Sequence, residues 1–420
     1  MKNKLNLSVG FVGMSHLGQN TCIAAAERVK NVICYDEKFR IIRNLKKNIT
    51  DIDEPNLSEL LKNSKNINFT NNLIDLSKCD IVYFSQDVPT NDVGESDIKF
   101  ISSLIKNLHG KIYRDVIFVV LCQVPPGFTR TLSEYFNNLY YQVETLIFGN
   151  AIERARFPER IILGCKNDNH FIDNKLNLYL KTFDCPIMPM IFESAELAKT
   201  AINIVLASQV SVANTLSEIC ENSDADWNEV IPALNLDKRI GKFAYLKPGL
   251  GISGGNIERD IRTLTSFSNA LGCNNVFLKA ISKLSEYRKN WPNDIFTKII
   301  KEKKVSSVGI IGLAYKLHTN SIKNSPSIKL LENLDVKNIK VYDSLVKEVK
   351  IKKEIIFCNN LKDVMNGVDV LFVMLPYEEL KTISFDAIEN LMNGNLVIDP
   401  FRALSINQNK KIRHFVLGRN

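Results

Sequence analysis

Continuous runs of apolar residues alternate with helix-like segments along the chain, and one such arrangement occurs twice. The segment Ser8–Gly13 (SVGFVG) is a short apolar strand that ends in glycine, and Ser307–Gly312 (SVGIIG) repeats it far downstream. A helix-like segment follows each one, and a second strand then closes on Tyr-Asp, at Asp36 and Asp343. Uninterrupted apolar strands between helices are typical of parallel sheets. The pattern therefore predicts an α/β fold with two Rossmann-like doubly wound domains.

The middle of the chain has a different pattern. Residues 194–222 place apolar side chains at helical spacing without proline or glycine, which predicts one long helix. The segment 247–256 is rich in glycine, so its backbone can come close to a ligand. We expect a first Rossmann domain over 1–190, a central helical domain over 191–300 that joins the lobes, and a second Rossmann-like domain over 301–420.

Composition and charge exclude several functional classes. In 420 residues no apolar run approaches the roughly 20 needed to cross a bilayer, and the N-terminus lacks a signal-peptide core, so we expect a cytoplasmic protein without membrane contact. The 54 basic and 46 acidic residues are interspersed, which disfavours nucleic-acid binding. The nine cysteines are scattered without CxxC pairs and indicate reduced thiols rather than disulfides or a metal site.

The first candidate site is the segment Gly13–Gly18 (GMSHLG), which follows a strand and opens a helix. Glycine permits the tight turn and close helix packing, and the helix N-terminus attracts a pyrophosphate. A carboxylate at Asp36, at the end of the next strand, would accept ribose hydroxyls and repel a 2′-phosphate, which favours NAD over NADP. The alternative is an ordinary α/β turn with an exposed aspartate. The predicted cofactor contacts here are Gly13, Ser15, His16, Leu17, Gly18 and Asp36.

A second candidate lies on the long helix. Lys199 and Asn203 are four residues apart and so share one helix face. A lysine can take or relay a hydroxyl proton or hold negative charge on the oxygen, while an asparagine orients the substrate. On spacing alone, such a pair usually just faces solvent.

Ordered motifs along nearly the whole chain resemble the UDP-glucose/GDP-mannose dehydrogenase family. The similar segments are Glu54–Leu61 (EPNLSELL, like EPGLEELL), Val88–Thr90 (VPT), Val124–Arg130 (VPPGFTR, like VPVGTTR), Phe157–Gly164 (FPERIILG, like HPDRIVIG), Ser194–Asn203 (SAELAKTAIN, like SAELIKYAANA), Asp237–Gly241 (DKRIG, like DSRIG), Gly312–Lys316 (GLAYK, like GLAFK) and Ser325–Pro326.

The resemblance implies an NAD-dependent dehydrogenase of a nucleotide-linked sugar, with UDP as the default nucleotide, a homodimeric assembly and a place in polysaccharide biosynthesis. It makes Lys199 and Asn203 catalytic, assigns Pro89 and Thr90 to the cofactor, and has Arg239 reach across the dimer interface to the substrate. The remaining substrate contacts that it implies are Tyr245, Leu246, Lys247, Gly251, Tyr315, Lys316 and Lys323.

The chain departs from the family at chemically important positions. The family segment GYGGSCFPKD, which carries a nucleophilic cysteine, is Gly251–Asp260 (GISGGNIERD) here, so Asp260 is kept and Asn256 replaces the cysteine. The family's EFLREG becomes Glu144–Gly149 (ETLIFG), which keeps the catalytic Glu144 and puts phenylalanine at the second glutamate. Gln123 replaces a threonine on the cofactor side, and Lys323 replaces an arginine.

The missing cysteine bears on how far the substrate is oxidised. Oxidation of a primary alcohol to an acid takes two steps, and a thiolate adds to the intermediate aldehyde before the second. A single two-electron oxidation to a ketone or aldehyde needs no nucleophile, and this reading is favoured. Full oxidation to a uronic acid, with a hydrated aldehyde in the second step, and an inactive protein that binds NAD and sugar nucleotide remain alternatives.

Overall fold

A computed structural model describes residues 3–89, 97–111, 116–405 and 411–419. The chain forms two compact units, Met1–Ile202 and Asn203–Asn420. The boundary falls within one helix, and the division into three domains remains a prediction. No helix in the described ranges is both long and apolar enough to cross a membrane.

The first unit is built on an eight-stranded sheet in the order β3-β2-β1-β4-β5-β6-β7-β8. Neighbouring strands are parallel except for the antiparallel pair β6 and β7. The first six strands have the Rossmann order, so the predicted fold class is confirmed. The strands are β1 (Leu5–Val12), β2 (Val29–Tyr35), β3 (Ile67–Thr70), β4 (Ile81–Phe84), β5 (Ile117–Val120), β6 (Leu139–Gln142), β7 (Ile161–Cys165) and β8 (Ile187–Ile191).

Helices cover both faces of this sheet, which explains why central strands such as β4 (IVYF) and β5 (IFVV) are apolar and buried at every position. The helices are α1 (His16–Ala26), α2 (Phe39–Lys46), α3 (Leu57–Asn63), α4 (Ile98–Leu108), α5 (Ala151–Arg156) and α6 (Asn174–Lys181), with 3₁₀ turns at Leu73–Lys78 and Thr129–Leu132.

The predicted long helix is present as α7 (Phe192–Glu221), which begins in the first unit and continues into the second. Four more helices follow it before the second sheet begins. They are α8 (Trp227–Leu236), α9 (Asn256–Ala270), α10 (Val276–Lys289) and α11 (Trp291–Glu302).

The second unit contains a six-stranded sheet in the order β11-β10-β9-β12-β13-β14, and all its neighbouring strands are parallel. This is the Rossmann order again, as the repeated sequence pattern predicts. The strands are β9 (Ser307–Ile311), β10 (Asn338–Tyr342), β11 (Ile356–Phe357), β12 (Val370–Val373), β13 (Leu396–Ile398) and β14 (Arg413–Phe415). The helices are α12 (Pro326–Asn333), α13 (Leu361–Met365) and α14 (Phe385–Leu391), with a 3₁₀ turn at Glu378–Thr382.

A buried aspartate holds the glycine turn after the first strand of each sheet. In the second unit, one carboxylate oxygen of Asp343 accepts the N–H groups of Leu313 (2.7 Å) and Ala314 (3.0 Å). Its other oxygen accepts those of Leu345 (2.8 Å) and Val346 (2.9 Å). A carboxylate is well suited to this place, because it offers only acceptors to a turn that presents only donors.

We expect Asp343→Ala to lower the free energy of unfolding by about 3 kcal/mol, because buried N–H groups left without acceptors cost roughly 1–3 kcal/mol each. Urea denaturation followed by tryptophan fluorescence measures this directly, since Trp227 and Trp291 both lie in the second unit. The matched control is Asp335→Ala at an exposed aspartate. If both variants lose less than about 0.5 kcal/mol, as surface substitutions do, the turn does not depend on Asp343.

Candidate active site

In the first unit, two positions where β1 turns into α1 tolerate only glycine. Gly13 has a φ of +95°, and a Cβ atom there would lie 2.7 Å from the backbone of Gln86. A Cβ atom on Gly18 would lie 2.0 Å from the carbonyl oxygen of Gly13. The two glycines therefore bring the helix tightly against the end of the strand, as the sequence motif predicts.

The N-terminus of α1 is suited to an anion. The helix begins at His16, and its first turn carries no acidic side chain. Ser15 precedes the helix without capping it, because its hydroxyl donates to the carbonyl oxygen of Ser85 (3.0 Å). Leu17 is buried in the core, so only its backbone could contact a ligand. The first-turn N–H groups and the helix dipole together suit a phosphate group.

Asp36 lies beside this turn, directly after β2. Its carboxylate is buried and accepts the N–H groups of Met14 (2.8 Å) and Lys38 (2.9 Å). An ionised carboxylate has about four acceptor positions, so two hydrogen bonds leave capacity for a ribose hydroxyl. Its predicted contact with the cofactor stays a prediction, but its hold on the glycine turn is a role that the sequence did not reveal.

His16 belongs to a cluster that sequence reasoning missed. Its Nε2 atom lies 2.7 Å from Oε1 of Glu54, and the same oxygen accepts the N–H group of Gly149 (2.8 Å). The Oε2 atom of Glu54 accepts the N–H group of Ala151 (3.3 Å). The ring of Phe148 packs against the imidazole at a centroid distance of 4.0 Å, with the two ring planes tilted by 31°. The cluster ties the segment after β6 to the start of α1. Its only sequence signal was the position of Glu54 in the first resembling motif.

The other cofactor-side candidates follow the carboxyl ends of neighbouring strands. Pro89 is exposed after β4, Gln123 is half-buried after β5, and Glu144 is half-buried after β6, where it accepts the N–H group of Leu146. Because these strands are adjacent and parallel, the three residues lie at the same sheet edge as Gly13. Thr90 lies outside the described residues.

A buried carboxylate joins this edge to α7. Glu196 is fully buried and accepts the N–H groups of Gly127 (2.6 Å) and Thr129 (2.7 Å), in the loop that follows β5. Lys199 is half-buried and lies three residues further along the same helix. The start of α7 is thereby fixed to the loop that carries Gln123. The resembling motif contains Glu196, but nothing in its spacing indicated this contact.

In the second unit, Asn203 and Asp260 are brought together from α7 and α9. The amide Nδ2 of Asn203 donates to the carboxylate of Asp260, which is fully buried. Arg259 Nε lies 3.6 Å from the other carboxylate oxygen. In this contact the amide is the donor and Asp260 the acceptor. The Asn203 Oδ1 atom is consequently the end of the amide that can receive a substrate hydroxyl.

The loop before α9 approaches the second sheet domain closely. Gly254 and Gly255 have φ angles of +88° and +93°, and Gly251 one of +73°. A Cβ atom on Gly254 would lie 2.4 Å from the ring of Tyr315, and one on Gly255 would lie 3.1 Å from the side chain of Lys323. Asn256 is exposed as the first residue of α9.

The remaining predicted substrate residues do not form one cluster of contacting side chains. Tyr245 and Lys247 are exposed, whereas the side chain of Leu246 is buried and its carbonyl oxygen accepts the indole N–H of Trp227 (2.8 Å). Lys316 Nζ lies 5.8 Å from the ring centroid of Tyr315. Arg239 is exposed and forms a bidentate pair with Asp237.

Family models match three successive parts of the chain. The NAD binding domain of the UDP-glucose/GDP-mannose dehydrogenase family matches residues 7–182, its central domain matches 193–287, and its UDP binding domain matches 309–406. The chain belongs to the UDP-glucose/GDP-mannose dehydrogenase family. It is an NAD-dependent nucleotide-sugar dehydrogenase, and the predicted cofactor is confirmed.

Relatives and solved structures match almost end to end. UDP-glucose 6-dehydrogenase of Rickettsia conorii is 27% identical over 436 residues, which cover 98% of this chain and 99% of that protein. The UDP-glucose dehydrogenase structure from Pyrobaculum islandicum has a TM-score of 0.85 at 21% identity and covers 100% of this chain and 99% of its own. The UDP-D-ManNAc dehydrogenase structure from Pyrococcus horikoshii has a TM-score of 0.84 at 18% identity, with 98% and 99% covered. At these identities the structures support the fold.

The buried Glu196 of this dehydrogenase makes the folding stability depend on pH. Burial raises the pKa of Glu196 from 4.5 to about 7. Between these values the folded protein keeps a proton that the unfolded chain has lost. The contribution of Glu196 to stability is therefore fully present below about pH 4.5 and is lost as the pH rises through about 7.

We compare the free energy of unfolding of Glu196→Gln with that of the unsubstituted protein at each pH. We expect this difference to shift in favour of the variant by about 2 kcal/mol between about pH 5 and about pH 8. Chemical denaturation at several pH values measures the difference. The control is Glu193→Gln on the same helix, because hydrogen bonding to Arg130 lowers the pKa of Glu193 and moves its titration below this window. A difference that stays constant for Glu196→Gln would show that this carboxyl does not titrate near neutral pH.

Proposed function

We propose that this dehydrogenase removes one pair of electrons from a hydroxyl of its nucleotide sugar and stops at the keto- or aldehydo-sugar nucleotide. A secondary ring hydroxyl suits this reaction best, because a free aldehyde is a reactive product. UDP is the default nucleotide, in keeping with the family's UDP binding domain. The observation that carries the proposal is Asn256, which stands exposed at the start of α9 where the family has its nucleophilic cysteine.

Four of the nine cysteines, two from each unit, show why a replacement for that cysteine is not at hand. Cys273 follows the far end of α9, a 15-residue helix about 22 Å long. Cys220 is buried against Ala213 and Trp227. In the first unit, burial raises the pKa of Cys79 to about 12 and that of Cys165 to about 11, so both stay protonated. Since the thiolate is the nucleophile, these thiols support no capture of an aldehyde.

The retained residues suffice for a single oxidation. Bound NAD would supply the acceptor for the hydride that leaves the carbon bearing the substrate hydroxyl. Asn203 Oδ1, oriented by Asp260, accepts the hydrogen bond of that hydroxyl. Lys199 takes up its proton or holds the negative charge on its oxygen. Asp260 acts through Asn203, because its carboxylate is enclosed and already bound to other side chains.

The cofactor side of the proposal rests on the glycine turn and the open start of α1. Backbone N–H groups at Ser15, His16 and Leu17 would hold the pyrophosphate, and Asp36 would accept the adenosine ribose and disfavour NADP. Pro89, Thr90, Gln123 and Glu144 would contact the remainder of the cofactor or the reacting end of the substrate.

The substrate side of the proposal rests on the second unit. Tyr315, Lys316 and Lys323, with the 245–247 segment and Gly251, would hold the nucleotide sugar. Lys323 supplies a cation in place of the family's arginine but lacks its bidentate geometry.

We also propose a homodimer. Val205, Val212 and Ile219 are more than half exposed on α7 and recur every seven residues, so they form one apolar stripe along the helix. An exposed apolar stripe of this kind is typical of an interface. Arg239 is 88% exposed at its side chain, and it would exchange its surface pair with Asp237 for a neighbouring subunit's substrate.

The first prediction from this function concerns stoichiometry. With UDP-sugars as substrates, we expect one NADH per sugar and a carbonyl product that hydroxylamine or borodeuteride traps. Absorbance at the NADH band and mass spectrometry of the product measure both quantities. A uronic acid with two NADH per sugar would contradict the proposal and show full oxidation. NAD binding without turnover on any nucleotide sugar would favour an inactive binding protein.

The second prediction concerns Lys199. We expect Lys199→Ala to lower kcat at least about 100-fold, the usual range for a lost acid–base group, and to leave the Kd for NAD within about twofold, since it lies outside the glycine turn. Steady-state kinetics and calorimetric titration with NAD give the two values. Lys181→Ala, at an exposed lysine of α6, is the control. Unchanged turnover in Lys199→Ala would show that Lys199 takes no part in the chemical step.

A further inference from the structure

The segment 251–260, which runs from the loop before α9 into its first turns, differs from the family segment GYGGSCFPKD at more places than the cysteine. Gly255 stands opposite the serine of that segment, and Glu258 stands opposite its proline. Lys323, some 65 residues away in sequence, is the replacement for an arginine. In the folded second unit these replacements lie in one cluster.

Glu258 is the centre of that cluster. One of its carboxylate oxygens lies 2.8 Å from Nζ of Lys289 on α10, and the other accepts the amide N–H of Asn324. The Lys289 side chain is only 4% exposed, and that of Glu258 is 13% exposed. Glu286 is a second partner of Lys289, with a carboxylate oxygen 2.9 Å from Nζ. The pair is therefore shielded from solvent, where charge-assisted hydrogen bonds are strong and directional.

Asn324 connects this pair to Lys323. The aliphatic part of the Lys323 side chain crosses Gly255, 3.1 Å from the place where a Cβ atom would lie. The carbonyl oxygen of Lys323 accepts the N–H group of Gly254 (3.2 Å). A serine at 255 would crowd this path, so glycine at 255 and lysine at 323 are sterically matched.

A proline in the first turn of a helix fixes the backbone through its ring. A glutamate there has no such effect on φ, although its charge suits the helix N-terminus. In this chain Glu258 restrains the same turn from outside, through one ion pair and one hydrogen bond. We name the set Glu258, Lys289 and Asn324 the α9 latch.

We propose that Glu258 is a positioning residue: through the α9 latch it holds the first turn of α9, with Asn256 and Asp260, in register with the segment 321–325 that carries Lys323. The proposal rests on the proposed function in placing the sugar nucleotide between these two segments. The latch itself is independent of how many electrons the substrate loses.

The first test is hydrogen exchange on the full-length protein without ligand. We expect Glu258→Gln to speed amide exchange about tenfold in both 251–260 and 321–325, since a lost charged hydrogen bond is worth roughly that factor. Glu286→Gln is the matched control, because Glu286 also binds Lys289 but touches neither segment. Unchanged exchange in 321–325 for Glu258→Gln, or an equal effect of the control, would overturn the proposal.

The second test exchanges the partners of one hydrogen bond. Glu258→Gln and Asn324→Asp should each raise the KM for UDP-glucose about tenfold, with a much smaller effect on kcat and on the Kd for NAD. The double variant reverses donor and acceptor, and it should recover most of the lost affinity. A double variant no better than the worse single one would contradict the proposal. If the unsubstituted protein does not turn over UDP-glucose, the same comparison is made with a UDP-sugar that it does turn over. If it turns over no UDP-sugar, the proposed function fails, and the exchange measurement still decides the latch.

Discussion

A glycine turn clamped by a buried carboxylate shapes each of the two sheets. In the first unit Asp36 holds the N–H group of Met14, and in the second Asp343 holds those of Leu313 and Ala314. The turn can close this tightly only where Cβ atoms are absent. Because it ends the central strand, its shape decides where the next helix starts, and in the first unit that start is the proposed anion site.

Under the proposed function, the chemistry in the second unit depends on orientation rather than on a reactive nucleophile. Asp260 directs the amide of Asn203, and Arg259 keeps that carboxylate paired with a cation. At position 256 this chain carries an amide, whereas the family carries the thiol that adds to a carbonyl. Residues that orient and relay protons serve an alcohol oxidation well, whereas capture of an aldehyde needs a group that forms a bond.

Much of the fold was readable from the sequence, because apolar strands that end in glycine and are followed by Tyr-Asp leave few alternatives to a parallel sheet. The long helix was also readable, and α7 begins at Phe192, two residues before the predicted start. The roles of Glu196 and Glu54 were not. Each depends on backbone N–H groups that lie far away in sequence and have no side-chain identity for a motif to record. The link between Glu258 and Asn324 was hidden for the same reason, since 66 residues separate them.

The repeated aspartate clamp also has an evolutionary consequence. Asp343 closes a turn and also interacts with the Tyr377 side chain, so selection at that position acts on the packing of this turn. Asp36 has spare acceptor capacity beside the proposed anion site, so under the proposed function selection at that position acts on the scaffold and on the ligand together. Two positions with the same local structure are thus expected to drift at different rates among descendants of this chain.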